Sequence, residues 1–398
     1  MPSASSPASA LSPAAGPRIR WVDGARGIGI LWIAFFHTFI AYGYGHYPWP
    51  LGFSNFPSFI QECTAATAFP ICGLEGLIVA LQQRGAQTVG VLLVLSGFGL
   101  TCALAKSEAP QDGWRSWYSR RLVRLFPLYW AAHLVYLLSP IAYEQDPIDI
   151  RFLLSFFGNR ILPVETMFFY LTPAWWYFGL LLELYLVFPF LFILLRRIGP
   201  AAFFGACALF TIASRYVLQS LLEAHGYWSM GAFFGARLWE FAAGMSLAAF
   251  YQRNERQTER VLFSPLGFGV GVLLYLGGVY SYEPHFFYTV SDGLTGTGLF
   301  VIIAHGAIWV KRMPLLRTWI PRVGAYSYGI FLLHQPYVMF CGRLFREHDV
   351  GFGLYMVAAS AVVGAICLLC IPLEKGVERL VGRFWNRGAS PAPRPPAS

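Results

Sequence analysis

Ten apolar stretches of about twenty residues recur along this 398-residue chain, and they constrain its fold more than any other feature. They read as helical spans at about 26–44, 86–105, 121–141, 174–195, 201–221, 231–251, 262–280, 290–310, 323–342 and 351–372. Each is long enough to cross a hydrocarbon layer of about 30 Å. Charged residues make up only 12% of the chain, against about 25% in soluble domains. A backbone in lipid must satisfy its own hydrogen bonds, so the fold class is all-α, a polytopic transmembrane helical bundle. No polar segment is long enough for a separate soluble domain.

The basic residues orient these spans. With both termini in the cytoplasm, 22 of the 29 Lys and Arg fall on the cytoplasmic side. Arg84, Arg151, Arg160, Arg343 and Arg346 fall on the other, and Arg215 and Arg237 lie within spans. The net charge of +9 is therefore a topology signal and not a sign of nucleic-acid binding. Residues 1–17 and 384–398 read as disordered tails, the first without the basic start of a signal peptide, which leaves 18–383 as one membrane domain. Residues 64–82 are apolar but contain Pro70 and Glu75, and a span there would invert everything downstream. We therefore read 48–84 as an outer loop with an interfacial or re-entrant segment. Cys63 and Cys72 both fall in it, and spacing alone leaves their pairing open. Cys367 and Cys370 sit in an apolar helix and read as packing residues.

Ionisable groups inside a membrane are costly and point to function. Here they are His37, His133, Glu183, Arg215, Arg237, Glu240, His305 and His334. Arg26 and His37 are eleven positions apart in the first span. Eleven helical steps turn through about three turns, so both side chains share one face, on the order of 16 Å apart along the axis. Arg237 and Glu240 are placed to neutralise each other. His133 and His305 have no supporting motif and read as structural. Arg121 and Arg124 share a face at a helix start, an arrangement that suits phosphates and equally suits positive-inside anchoring. Trp175-Trp176-Tyr177 reads as an interfacial aromatic belt. Glu183 lies deeper, with an Arg or His from another helix as its expected partner. No HExxH or clustered Cys/His spacing supports a metal site.

These elements in this order resemble the acyltransferase-3 family of bacterial-type integral membrane O-acyltransferases. Asp23-Gly24-Ala25-Arg26-Gly27 through His37 is similar to its Arg-ten-His signature, and Leu95-Ser96-Gly97-Phe98 to its SGF motif. Arg121, Arg124, Pro127 and Tyr129 resemble its RxxR-then-PxY element, and Trp176, Glu183, Tyr185 and Pro189 its W…E…Y…P helix. Arg237 with Phe241 to Gly244, and Tyr326 to His334, resemble two later elements. The resemblance implies that a cytoplasmic acyl-CoA, acetyl-CoA above all, donates to a hydroxyl of a glycan or lipid acceptor at a bacterial inner membrane. It implies His37 as general base with Arg26 and Glu183 as catalytic partners. Arg121, Arg124, Ser96 and Gly97 would hold the donor, and Asp23, Trp176, Tyr185, Arg237 and His334 the substrate. The sequence departs from the pattern in Leu92-Leu93-Val94-Leu95, where two Phe normally precede the SGF motif, and in the long 48–84 loop. The rival reading is a secondary transporter, which ten spans, buried charges and the glycines Gly293, Gly296 and Gly298 would suit. No internal repeat supports it, and a donor-handling enzyme needs its Arg pair on the cytoplasmic side.

Overall fold

The computed structural model describes residues 19–52, 54–65, 68–104, 110, 112–139, 141, 146–282 and 288–388, so the N-terminal tail and the end of the C-terminal one lie outside it. It is all-α, with no strand among the described residues. In chain order the helices are α1 Arg20–Thr38, α2 Phe56–Thr64, α3 Phe69–Arg84, α4 Thr88–Cys102, α5 Gly113–Leu138, α6 Ile150–Phe156, α7 Val164–Met167 and α8 Trp176–Ile198. There follow α9 Pro200–Tyr216, α10 Leu238–Arg253, α11 Glu255–Leu262, α12 Pro265–Tyr280, α13 Tyr288–Val310, α14 Leu316–Ala325, α15 Ser327–Glu347 and α16 Phe352–Gly388.

Six helical runs are long and apolar enough to cross a membrane: Trp21–Gly43, Phe69–Cys102, Pro173–Ile198, Pro200–Leu221, Tyr288–Val310 and Phe352–Arg383. A seventh is added if α11 and α12, bent by 59°, count as one span. The other stretches read as spans fall on α5, α10 and α15. Their apolar runs are interrupted by groups turned inward, with His133, Glu240 and His334 all at 0% exposure.

Three segments are more helical than the sequence indicated. Residues 69–84 continue through a short 3-10 turn into α4, giving one run of 34 residues, about 50 Å long and well beyond a hydrocarbon thickness. Cys63 and Cys72 form a disulfide between α2 and α3. The Tyr47 hydroxyl, held by Glu75 of α3, ties down the preceding loop, and burial followed by that carboxylate pushes its acidity below that of an ordinary tyrosine. The basic 311–322 segment, read as a loop, contains most of α14, which lies against α1 where Gly27 meets the Ile320 carbonyl and Gly324 the Asp23 carbonyl. The C-terminal tail begins as a continuation of α16 to Gly388.

Association in lipid depends on close packing, and small residues permit it. A β-carbon added at Gly97 of α4 would strike the Phe241 carbonyl of α10, and one added at Gly244 of α10 would strike the Val94 carbonyl of α4. The two helices thus meet backbone to backbone, fixing which stripe of α4 is left open. Gly244→Val should destabilise the protein by about 1–3 kcal/mol, the usual cost of overpacking, while Gly244→Ala costs less. Thermal unfolding in detergent checks this, and an unchanged melting temperature in the valine variant would overturn the contact.

Candidate active site

α1 is uninterrupted from Arg20 to Thr38, so Arg26 and His37 keep their shared face. A π-helical turn, Phe39–Gly43, begins just past His37, a distortion frequent at functional sites. Opposite, on α15, stands His334, 297 residues away in sequence, with its Nε2 2.9 Å from His37 Nδ1. His334 is fully buried, and His37 retains 9% exposure.

The hydrogen bonds around this pair assign its protons. His334 Nδ1 faces two carbonyl oxygens, Ile330 at 2.9 Å and Phe331 at 3.0 Å. Carbonyls only accept, so His334 Nδ1 carries the hydrogen and, in the neutral ring, Nε2 carries the lone pair. The contact to His37 then requires His37 Nδ1 to donate. The lone pair of His37 is left on Nε2, the position from which an imidazole takes a proton.

α15 is held rigidly at this level. Pro336 has no N–H for the Leu332 carbonyl, and Trp175 Nε1 donates to that carbonyl instead, at 2.8 Å. The Gln335 side chain accepts from the Ala174 amide at 2.5 Å. On the α1 side, the Tyr355 hydroxyl of α16 donates to the Thr38 carbonyl at 2.7 Å. Gln82 of α3 donates to the Thr38 hydroxyl at 2.6 Å.

A cationic group lies toward the start of α1. Arg26 Nη2 reaches the Leu95 carbonyl of α4 at 3.5 Å and lies against Gly99. Arg26 Nη1 is 3.7 Å from Asp23, and the side chain keeps 30% exposure. Arg124 and Tyr185 lie within coulombic reach of Arg26, and Tyr185 and Arg124 within reach of Arg121. The Arg121 guanidinium stands 5.5 Å from the Trp117 ring centre, and its Nε is buried with no hydrogen-bond partner. Arg26 and Arg121 both lie near Tyr185, Arg124 lies near each of them, and the unused Arg121 Nε makes the group a candidate anion site. Val89, Leu92, Ser96 and Gly99 line one face of α4, which is partly open along that stripe while Gly97 is buried on the α10 side.

The remaining sequence-predicted residues lie elsewhere. Among the described residues Glu183 has no Arg or His partner; its Oε2 accepts from the Phe234 amide at 2.7 Å. This amide opens the 3-10 turn that leads into α10, so the carboxylate caps an orphan helix donor. Trp176 stacks on Phe168, 5.5 Å between centres, and covers Gly231. Arg237 pairs with Glu240 at 2.8 Å and with Asp292 at 3.2 Å, and Asp292 also holds Arg215 at 2.5 Å. His133 is bonded at both nitrogens, to the Tyr129 carbonyl and the Ser155 hydroxyl, each at 2.9 Å. Sequence reasoning missed the place of Tyr177, read as part of an aromatic belt. It is buried, lies within coulombic reach of Arg26, Tyr185 and Arg237, and meets Phe331 edge-on at 5.2 Å, one turn before His334. Its position three ahead of Leu180 on the inward face of α8, alongside other buried residues, was the available signal. Among the described residues no group of three or more His, Cys, Asp or Glu is placed to hold a metal.

The chain was compared with known proteins. No curated protein and no solved structure matches it. A family profile described as an acyltransferase domain, that of the acyltransferase-3 family, matches residues 19–374, which span every residue of the histidine pair and the arginine group. The chain belongs to the acyltransferase-3 family of membrane acyltransferases.

Proposed function

We propose that this protein moves an acyl group, acetyl in the simplest case, from a cytoplasmic acyl-CoA to a hydroxyl of a glycan or lipid-linked acceptor at a bacterial inner membrane. One observation carries the reading: a proton-accepting imidazole with an assigned free Nε2 sits on the same face of α1 as an arginine in a phosphate-ready group. The donor's phosphates are held by Arg121 and Arg124 with Arg26, on the face that the positive-inside rule assigns to the cytoplasm. Its thioester arm extends along α1 past Tyr177 and the open stripe of α4 toward His37.

His37 Nε2 takes the proton of the acceptor hydroxyl as the oxygen attacks the thioester carbonyl. The bond between carbonyl carbon and sulfur breaks, and His37 returns the proton to the departing thiolate. His334 Nε2, accepting from His37 Nδ1, stabilises the imidazolium formed between these events, as an orienting carboxylate does in a hydrolytic triad. Ser96 is a hydroxyl donor on the open stripe for the developing oxyanion. Glu183 and Arg237, each engaged in the scaffold, take no part in proton transfer.

His37→Ala should lower turnover of acetyl-CoA by roughly 10²–10⁴-fold, the range for loss of a general base, while donor binding is retained. The check is saturable binding and transfer with radiolabelled acetyl-CoA and purified protein in detergent, and full activity in the variant sinks the role. His334→Leu should reduce kcat with donor affinity unchanged, and His334→Gln, whose amide oxygen accepts from His37 Nδ1, should restore part of it. Equal rates for Leu and Gln would show that His334 only fills space.

Removing Arg121 and Arg124 together should weaken donor affinity by about tenfold per lost charge-assisted contact. Isothermal titration with a non-hydrolysable acyl-CoA analogue measures it, and unchanged affinity would return the pair to simple anchoring.

A further inference from the structure

A cleft of about 590 Å³ opens at the basic end of the bundle, away from the histidine pair. It lies where α4, α8 and α10 end and α9 begins, and its walls include Thr101, Phe192, Arg196, Arg197, Gln252 and Arg253. Among the described residues no acidic side chain lines it. Among the described residues none of its three arginines meets a carboxylate. The wall is ordered, because Gln252 donates to the Thr101 carbonyl at 3.0 Å and Phe192 meets Trp114 edge-on at 6.3 Å. Three guanidiniums lining one cleft offer converging donors to an anion. Their fork geometry matches phosphate oxygens best.

A second feature leads away from the same cleft. Leu186, Phe190 and Ile193 of α8 are 65%, 75% and 39% exposed. Their spacing of four and then three, with Arg197 four further on, puts all four on one helix face. Ile193 and Arg197 also line the cleft. An apolar stripe that runs into a cationic cleft fits an amphiphile with an anionic head. In the membrane this stripe lies among acyl chains, so a lipid beside α8 is placed to set its phosphate in the cleft with its chain on the stripe.

We propose that this cleft holds the headgroup phosphate of an anionic phospholipid, with an acyl chain along Leu186, Phe190 and Ile193. Basic pockets between helices on the cytoplasmic side take such headgroups. The site stands apart from the acyl-transfer reading, since none of its residues belongs to the histidine pair or the Arg26, Arg121 and Arg124 group.

The test is native mass spectrometry of the full chain in neutral detergent, with dioleoyl phosphatidylglycerol or dioleoyl phosphatidylcholine added. The wild type should retain phosphatidylglycerol and release phosphatidylcholine. Arg196→Gln combined with Arg197→Gln and Arg253→Gln should weaken phosphatidylglycerol retention by about tenfold or more, with acetyl-CoA binding unchanged. Arg253→Gln alone, a single exposed substitution, should give a smaller loss in the same direction and serves if the triple variant does not fold. Equal retention of both lipids, or undiminished retention in the arginine variants, overturns the proposal. Displacement of phosphatidylglycerol by adenosine 3′,5′-bisphosphate in an arginine-dependent manner also overturns it and assigns the cleft to a soluble phosphate.

Discussion

The 2.9 Å contact between His37 and His334 admits one arrangement of protons once two carbonyls occupy His334 Nδ1. Much of the bundle serves to keep it so. The Ile330 and Phe331 carbonyls belong to α15, which is braced at the next turn by Trp175 and Gln335. The proline that frees the Leu332 carbonyl thereby creates the acceptor that Trp175 needs. α1 is braced in turn by Tyr355 and Gln82 at Thr38, the residue beside His37. An imidazole pair whose tautomers are set by backbone carbonyls needs no buried carboxylate, and so avoids placing a full negative charge in a medium where that is costly.

The same economy governs the other buried ionisable groups. Arg215, Arg237, Asp292 and Glu240 form a formally neutral set of ion pairs, with the Tyr282 hydroxyl on the second oxygen of Asp292 at 2.5 Å. Glu183 spends its charge on a backbone amide at a helix break. The three arginines near Tyr185 are the contrast. Asp23 lies beside Arg26 and Glu374 near Arg124, while Arg121 has two cations and a phenol as neighbours and a buried Nε with no hydrogen-bond partner. A guanidinium with an unused donor beside two further guanidiniums is a candidate anion site.

Much of this was legible in the sequence. Apolar run lengths identify the helices, and the eleven-residue offset between Arg26 and His37 survives because α1 has no break between them. Basic loop charges mark one end, and there the Arg121 and Arg26 groups meet. Partner identity was not legible, because it depends on which faces are brought together from distant parts of the chain. His334 is separated from His37 by 297 residues. Glu183 was expected to need a charged partner, yet a backbone amide exposed by the break before α10 suffices, and such a break leaves only a weak trace in composition. α14 was hidden because its basic residues resemble those of an inner loop; its helicity comes from packing against α1 at Gly27 and Gly324.

A second histidine shows what separates chemistry from scaffolding here. His133 Nδ1 faces the Tyr129 carbonyl, so its lone pair is on Nε2 and points at the Ser155 hydroxyl, 2.9 Å away. By hydrogen-bond logic alone this is an activated serine, with the Arg160 guanidinium close by, bonded to the Tyr129 hydroxyl at 3.1 Å. Yet His133 and Ser155 are both at 0% exposure. The void beside Trp175, whose ring lies tilted over His133 with centres 4.3 Å apart, is only about 10 Å³, at or below the room one water requires. An acyl donor has no way in, and both ring nitrogens are already bonded, Nδ1 within α5 and Nε2 across to Ser155 of α6. The His37 and His334 pair has the same proton logic, but His37 keeps 9% exposure and shares its face of α1 with Arg26, whose side chain keeps 30%. Access, and not the presence of a basic imidazole, decides which of the two is placed to carry a reaction.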